Sequence, residues 1–156
     1  MRGIMKLSEA LILRADCQKR IEQLRQRLLR SARVQEGEQP PENPSALLAE
    51  LETTLRELTD LIQRINKTNS VTNLREGVTI SDALAQRDTL LLKRGVFDSL
   101  VNAAALNQDR YSQSEIKYFS TVNITELQAQ VDRLSRECRE LDTTIQAANW
   151  NTELMD

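Results

Sequence analysis

The chain contains no histidine in 156 residues. That removes Ser-His-Asp and Cys-His nucleophilic catalysis, imidazole metal ligation and histidine pH switching in one stroke. It has only two cysteines, Cys17 and Cys138, too few for a disulfide scaffold, and both fall on apolar helical positions, where buried free thiols are expected. Four glycines, three prolines and 3% aromatics leave little material for the turns and β-rich strands of a sandwich or barrel. No apolar run approaches the ~20 residues that span a bilayer. The stretch Leu11-Ile12-Leu13 meets Arg14 and Asp16 at once, so a signal-peptide core is not expected either, and a cytoplasmic protein is.

What remains is the composition of long helices, with 28% charged and 40% hydrophobic residues. The most informative pattern is a repetition. Leu7, Ser8, Glu9, Ala10, Leu11 and Arg14 return as Ile80, Ser81, Asp82, Ala83, Leu84 and Arg87, while Ile65, Asn69, Thr72 and Leu74 return as Ile145, Asn149, Thr152 and Leu154. The first set is offset by 73 residues and the second by 80, which describes a duplicated helical hairpin whose second copy has seven extra residues in its connection. We expect an all-α fold: an antiparallel four-helix bundle of coiled-coil hairpins with a short β piece at one end. A single domain over residues 5–154 is expected, with repeats at 7–74 and 80–154 and a flexible extension at 1–4.

Periodicity predicts a first helix from Ser8 to Arg33 with a seam at Leu7, Ala10, Arg14, Cys17, Ile21, Leu24, Leu28 and Ser31. After a Gly/Pro-containing connection to Asn43, a second helix from Pro44 to Ser70 has its seam at Leu48, Leu51, Leu55, Leu58, Ile62 and Ile65. A third, from Ser81 to Leu106, presents Ala83, Leu84, Leu90, Leu91, Phe97, Leu100, Val101 and Ala104, with Gly95 in mid-helix as a mark of close packing. Residues 116–122 alternate as a short strand would. Asn123-Ile124-Thr125-Glu126 reads as a capping box for the last helix, whose seam runs Ile124, Leu127, Val131, Leu134, Cys138, Leu141, Ile145, Ala148 to an end near Trp150. The same faces would serve a dimer, so a homo-oligomer, most simply a dimer, is expected.

Charge is segregated. Residues 1–34 hold nine Lys/Arg against three Asp/Glu, and residues 35–63 one against seven. A basic first helix beside an acidic second one points to interhelical pairing rather than to nucleic-acid binding, given an acidic chain overall. Arg14 and Arg87 occupy equivalent seam positions and so must be paired or must snorkel; with Asn69 and Asn149 they form an expected buried polar layer, favoured over an anion site and partnered from neighbouring helices, since Asp16 and Asp88 lie beside them on their own helices. No phosphate loop, nucleophile elbow, metal-ligand set or cofactor motif occurs, so no catalytic, metal or cofactor residues are named and a non-enzymatic protein is expected. The functional candidates are instead the connection residues Arg110, Tyr111, Glu115, Lys117, Tyr118 and Phe119, which gather three of the five aromatics beside charges in the manner of an interaction hot spot.

Arg110-Tyr111-Ser112-Gln113-Ser114-Glu115-Ile116-Lys117-Tyr118, together with Leu7 to Asp16 and Ala148 to Leu154, resembles the septicolysin-like bacterial family over essentially Met5 to Leu154. That resemblance implies a pore-forming cytolysin acting on membranes. The residues themselves imply a helical protein acting by protein–protein interaction or self-assembly.

Overall fold

In a computed structural model, which describes residues 3–106 and 116–156, the fold is all-α. Helix α1 spans Leu7–Arg30, α2 Pro44–Val71, α3 Ile80–Ala104 and α4 Ile124–Asn151; between α2 and α3 lie the short strands β1, Asn73–Arg75, and β2, Val78–Thr79. Two compact units are present, Met1–Asn73 with Ala147–Asp156, and Leu74–Gln146.

Local chemistry sets the helix ends. Asn43 accepts from the Ser45 amide at 2.9 Å and Pro44 takes the first helical position, where its missing N–H costs nothing. Thr79 and Asp82 cap α3 reciprocally, each bond 3.1 Å, so the helix begins one residue before the expected Ser81. Asn123 accepts from the Glu126 amide at 3.0 Å. Helix α1 has no side-chain cap. Its first amide, that of Leu7, donates instead to the Thr152 carbonyl at 2.8 Å, and Leu154 N–H donates to the Met5 carbonyl at 2.8 Å. These bonds flank an antiparallel bridge between Lys6 and Glu153.

The two halves of the chain correspond in their helix bounds. Helices α2 and α4 are both 28 residues long and their ends correspond at the offset of 80, while α1 and α3 begin at Leu7 and Ile80, offset by 73. The positions equivalent to Lys6 and Glu153 are Thr79 and Asn73, which belong to β2 and β1. One small β element thus recurs after each second helix. In the β1–β2 hairpin the turn is made at Gly77, whose φ of 74° is the left-handed region that glycine occupies without steric cost.

In the first unit α1 and α2 run antiparallel, as the pairs Arg27–Glu42 and Arg20–Glu57 show. All eight expected seam positions of α1 are buried or half-buried, and all eight of α4 likewise. Helix α2 differs from expectation by one residue. Leu47, Leu51, Thr54, Leu58, Leu61, Ile65 and Thr68 face inward, whereas Leu48 and Leu55 are exposed and Ile62 is half-buried. The helix carries two adjacent apolar stripes, and Thr54 enters the core because its hydroxyl is satisfied by the Glu50 carbonyl at 2.9 Å. In the second unit Arg87 of α3 meets Asp142 of α4, and Ala83, Val101, Val131, Leu134 and Cys138 are buried.

Three further expectations are corrected. Helix α1 stops at Arg30 and α3 at Ala104, short of Arg33 and Leu106. Residues 116–122 form no strand; the strands are in the α2–α3 link. Gly95 is not closely packed, for among the described residues no atom outside its own stretch of helix lies within 4 Å of the place a Cβ would occupy.

Candidate functional site

The seam arginines fare differently in the two repeats. Arg87 donates through Nη1 to Asp142 Oδ1 at 2.9 Å. Its neighbour Asp88 also approaches Nε, at 3.7 Å, although an adjacent carboxylate was not expected to help; the long side chain curls back far enough for a loose ion pair. Arg14 is half-buried, and its guanidinium has no hydrogen bond or ion pair with a described residue. Asn149 is buried, and Asn69 is half-buried with its Oδ1 unpartnered among the described residues. No hydrogen bond joins Arg14 to Asn69.

Arg110, Tyr111 and Glu115 lie outside the described residues. Lys117, Tyr118 and Phe119 are exposed and belong to no helix or strand.

Two recesses differ in chemistry. The first unit holds a cleft of about 460 Å³ whose floor includes Leu13, Cys17 and Leu61. Its charges neutralise one another. Arg20 lies 3.7 Å from Glu57, and Arg64 lies 3.8 Å from Asp60 while donating to the Met155 carbonyl at 3.0 Å and to Asp156 Oδ1 at 3.3 Å. Burial, then the nearby Glu57, pushes the Cys17 thiol up, away from the reactive thiolate. The second unit holds a recess of about 360 Å³ lined by Arg87, Arg94, Arg139, Asp142, Ser135 and Cys138, with Leu91 beside them. Among the described residues, no cluster of acidic or sulfur ligands could hold a metal ion.

The feature that sequence reading missed is the outer face of α3. Ala85, Asp88, Leu92, Gly95, Val96, Ser99 and Ala103 are exposed and recur at helical spacing opposite the buried Ala83 and Val101. Leu92 is 70% exposed and Val96 64%. The first repeat shows what such a face looks like when it meets water: the positions equivalent to Leu92, Gly95, Val96 and Ala103 are Lys19, Glu22, Gln23 and Arg30. Four polar or charged residues have become two aliphatic and two small ones. Extending the alignment of repeats past Arg14 and Arg87 would have exposed the exchange.

Fold and surface define a class: an all-α protein of four helices in two halves of corresponding length, with exposed aliphatic residues on the outer face of α3. Over residues 14–154 the chain matches, and belongs to, a family of unknown function, DUF6847. It is similar to a functionally unknown conserved protein from Corynebacterium diphtheriae known from a crystal structure, at 48% identity and a TM-score of 0.93 over 98% of this chain and 100% of that one. No functionally curated protein matches.

Proposed function

We propose that this is a non-enzymatic binding protein that self-associates, and that the outer face of α3 is the contact between two copies. The observation that carries the reading is the exchange of Lys19, Glu22, Gln23 and Arg30 for Leu92, Gly95, Val96 and Ala103 at equivalent positions. A helix that is apolar on two opposite sides is covered on both. Ala85, Asp88, Leu92, Gly95 and Ser99 alternate three and four residues apart, the spacing of a helix–helix seam. Gly95 in mid-helix costs about 1 kcal/mol relative to alanine, and no described residue packs there; an approaching helix from a second copy accounts for it.

A two-fold arrangement puts one patch against itself. Leu92→Cys therefore forms a covalent dimer on mild oxidation, while Lys19→Cys, at the equivalent position of the first repeat, does not. Equal cross-linking of the two variants, or none, defeats the reading. The alternative implied by the septicolysin resemblance is membrane action; no helix among the described residues is long and apolar enough to cross a membrane. Vesicle dye release distinguishes the two, since a protein acting through copy–copy contact leaves vesicles intact.

A further inference from the structure

The recess between α3 and α4 in the second unit has a charge pattern that the first repeat lacks. Of its lining residues, Arg94 stands where the first repeat has Ile21, Arg139 where it has Thr59, Asp142 where it has Ile62, and Ser135 where it has Leu55; only Arg87 has an arginine counterpart, Arg14. Ile21 and Ile62 are half-buried in the first hairpin, so the second hairpin has exchanged apolar packing for polar groups around an open space. Arg94 and Arg139 are exposed, so both charges stay hydrated at the edge of that space and are open to a ligand from solvent.

The charges are not balanced within the recess. Three guanidiniums face one carboxylate, and that carboxylate is engaged with Arg87 Nη1 at 2.9 Å. This bond, with the looser approach of Asp88 to Nε, fixes the Arg87 fork and leaves its second terminal nitrogen without a partner among the described residues. The guanidiniums of Arg94 and Arg139 make no ion pair or hydrogen bond with any described residue, in contrast to those of Arg20, which pairs with Glu57 across the cleft of the first unit, and Arg64, which pairs with Asp60 on its own helix. Three arginines lining one recess supply planar forks of the kind that matches the oxygens of a tetrahedral dianion. Ser135 adds a hydroxyl, and Leu91 and Cys138 supply apolar wall for whatever the anion is attached to. A volume of about 360 Å³ accommodates a phosphate with a small organic body.

We infer that this recess binds a phosphate-class dianion, held by Arg87, Arg94 and Arg139, with Asp142 positioning Arg87. None of the residues lining the recess belongs to the outer face of α3, although Asp88 of that face approaches Arg87, and the inference does not rest on self-association.

The test is titration calorimetry of the full chain with inorganic phosphate and with glucose 6-phosphate, in chloride buffer. Arg94→Ile combined with Arg139→Thr installs the residues that the first repeat already tolerates at those positions, so folding is expected to survive and is checked by melting temperature. Saturable binding is expected, weakened at least roughly tenfold in that variant, the factor that one lost charge-assisted hydrogen bond carries. Arg133→Thr, on α4 outside the recess, should leave binding unchanged. Tighter binding of the sugar phosphate than of inorganic phosphate assigns the site to a soluble ester; equal affinities assign it to the free anion. Absence of saturable binding to either probe overturns the inference, as does binding that the Arg94/Arg139 variant retains or that Arg133→Thr reduces equally.

Discussion

Leu47 and Leu48 are adjacent leucines in the first turns of α2, and replacing each with alanine separates the packing described here from the one that periodicity alone suggests. Leu47 is 4% exposed and Leu48 51%. Removing a buried leucine side chain forfeits its transfer free energy and leaves a cavity, together ~2–5 kcal/mol. Leu47 is only one turn into the helix, where neighbours relax into the gap, so the lower half of that range, about 2–3 kcal/mol, applies. Leu48→Ala uncovers little and gains slightly in helix propensity; less than about 1 kcal/mol is expected. For a chain of this size each kcal/mol moves the melting temperature by roughly 2–4 °C, so Leu47→Ala should melt about 5–10 °C lower and Leu48→Ala within about 3 °C of the parent. Thermal unfolding followed by circular dichroism is the assay, repeated at two protein concentrations because a core defect is concentration-independent and an interface defect is not. Equal shifts, or the larger shift for Leu48→Ala at both concentrations, would refute the assigned inner face of α2.

Other expectations follow from single contacts. Ser31 is buried with a hydroxyl that has no partner among the described residues, and the equivalent residue is Ala104; Ser31→Ala should therefore be neutral or stabilising by up to about 1 kcal/mol, read as an unchanged or higher midpoint in urea. The Arg27 guanidinium donates to both Glu42 oxygens, the Nε–Oε2 bond being 2.9 Å, and holds that carboxyl below the usual glutamate range. A depressed folded pKa contributes stability above the unfolded value that is lost as pH falls through the folded one. Glu42→Gln should accordingly flatten the acid limb of a stability–pH profile and change little near neutrality beyond loss of a half-exposed pair; an acid limb identical to the parent's would show that the fork contributes nothing.

Much of the architecture is legible without coordinates, and the reasons are specific. Each of α1 and α4 has one apolar stripe, so one inner face is available and the seam from Leu7 to Ser31, or Ile124 to Ala148, follows. Helix α2 has two adjacent stripes, and Thr54 conceals the buried one because a threonine that bonds its own helix backbone is effectively apolar to its neighbours. The beginning of α3 depends on a Thr79–Asp82 box that begins within an extended segment. The start of α1 depends on backbone bonds between Leu7 and Thr152 and between Leu154 and Met5, pairs far apart in sequence, which no local pattern announces. The outer face of α3 and the arginine recess are written in the sequence, but only as differences between the two repeats: Leu92 against Lys19, Arg94 against Ile21. Residue similarity reveals the duplication, whereas its exceptions locate the surfaces on which the second copy departs from the first.

Sedimentation velocity across a wide concentration range tests the central claim most directly, on the parent chain and on Leu92→Lys combined with Val96→Gln, which restores the residues found at the equivalent positions of the first repeat, Lys19 and Gln23. The account predicts a parent that sediments as a dimer and dissociates on dilution, and a variant that sediments as a monomer throughout with its helical content intact. A parent that is monomeric at every concentration, or a variant that associates as strongly as the parent, would contradict it.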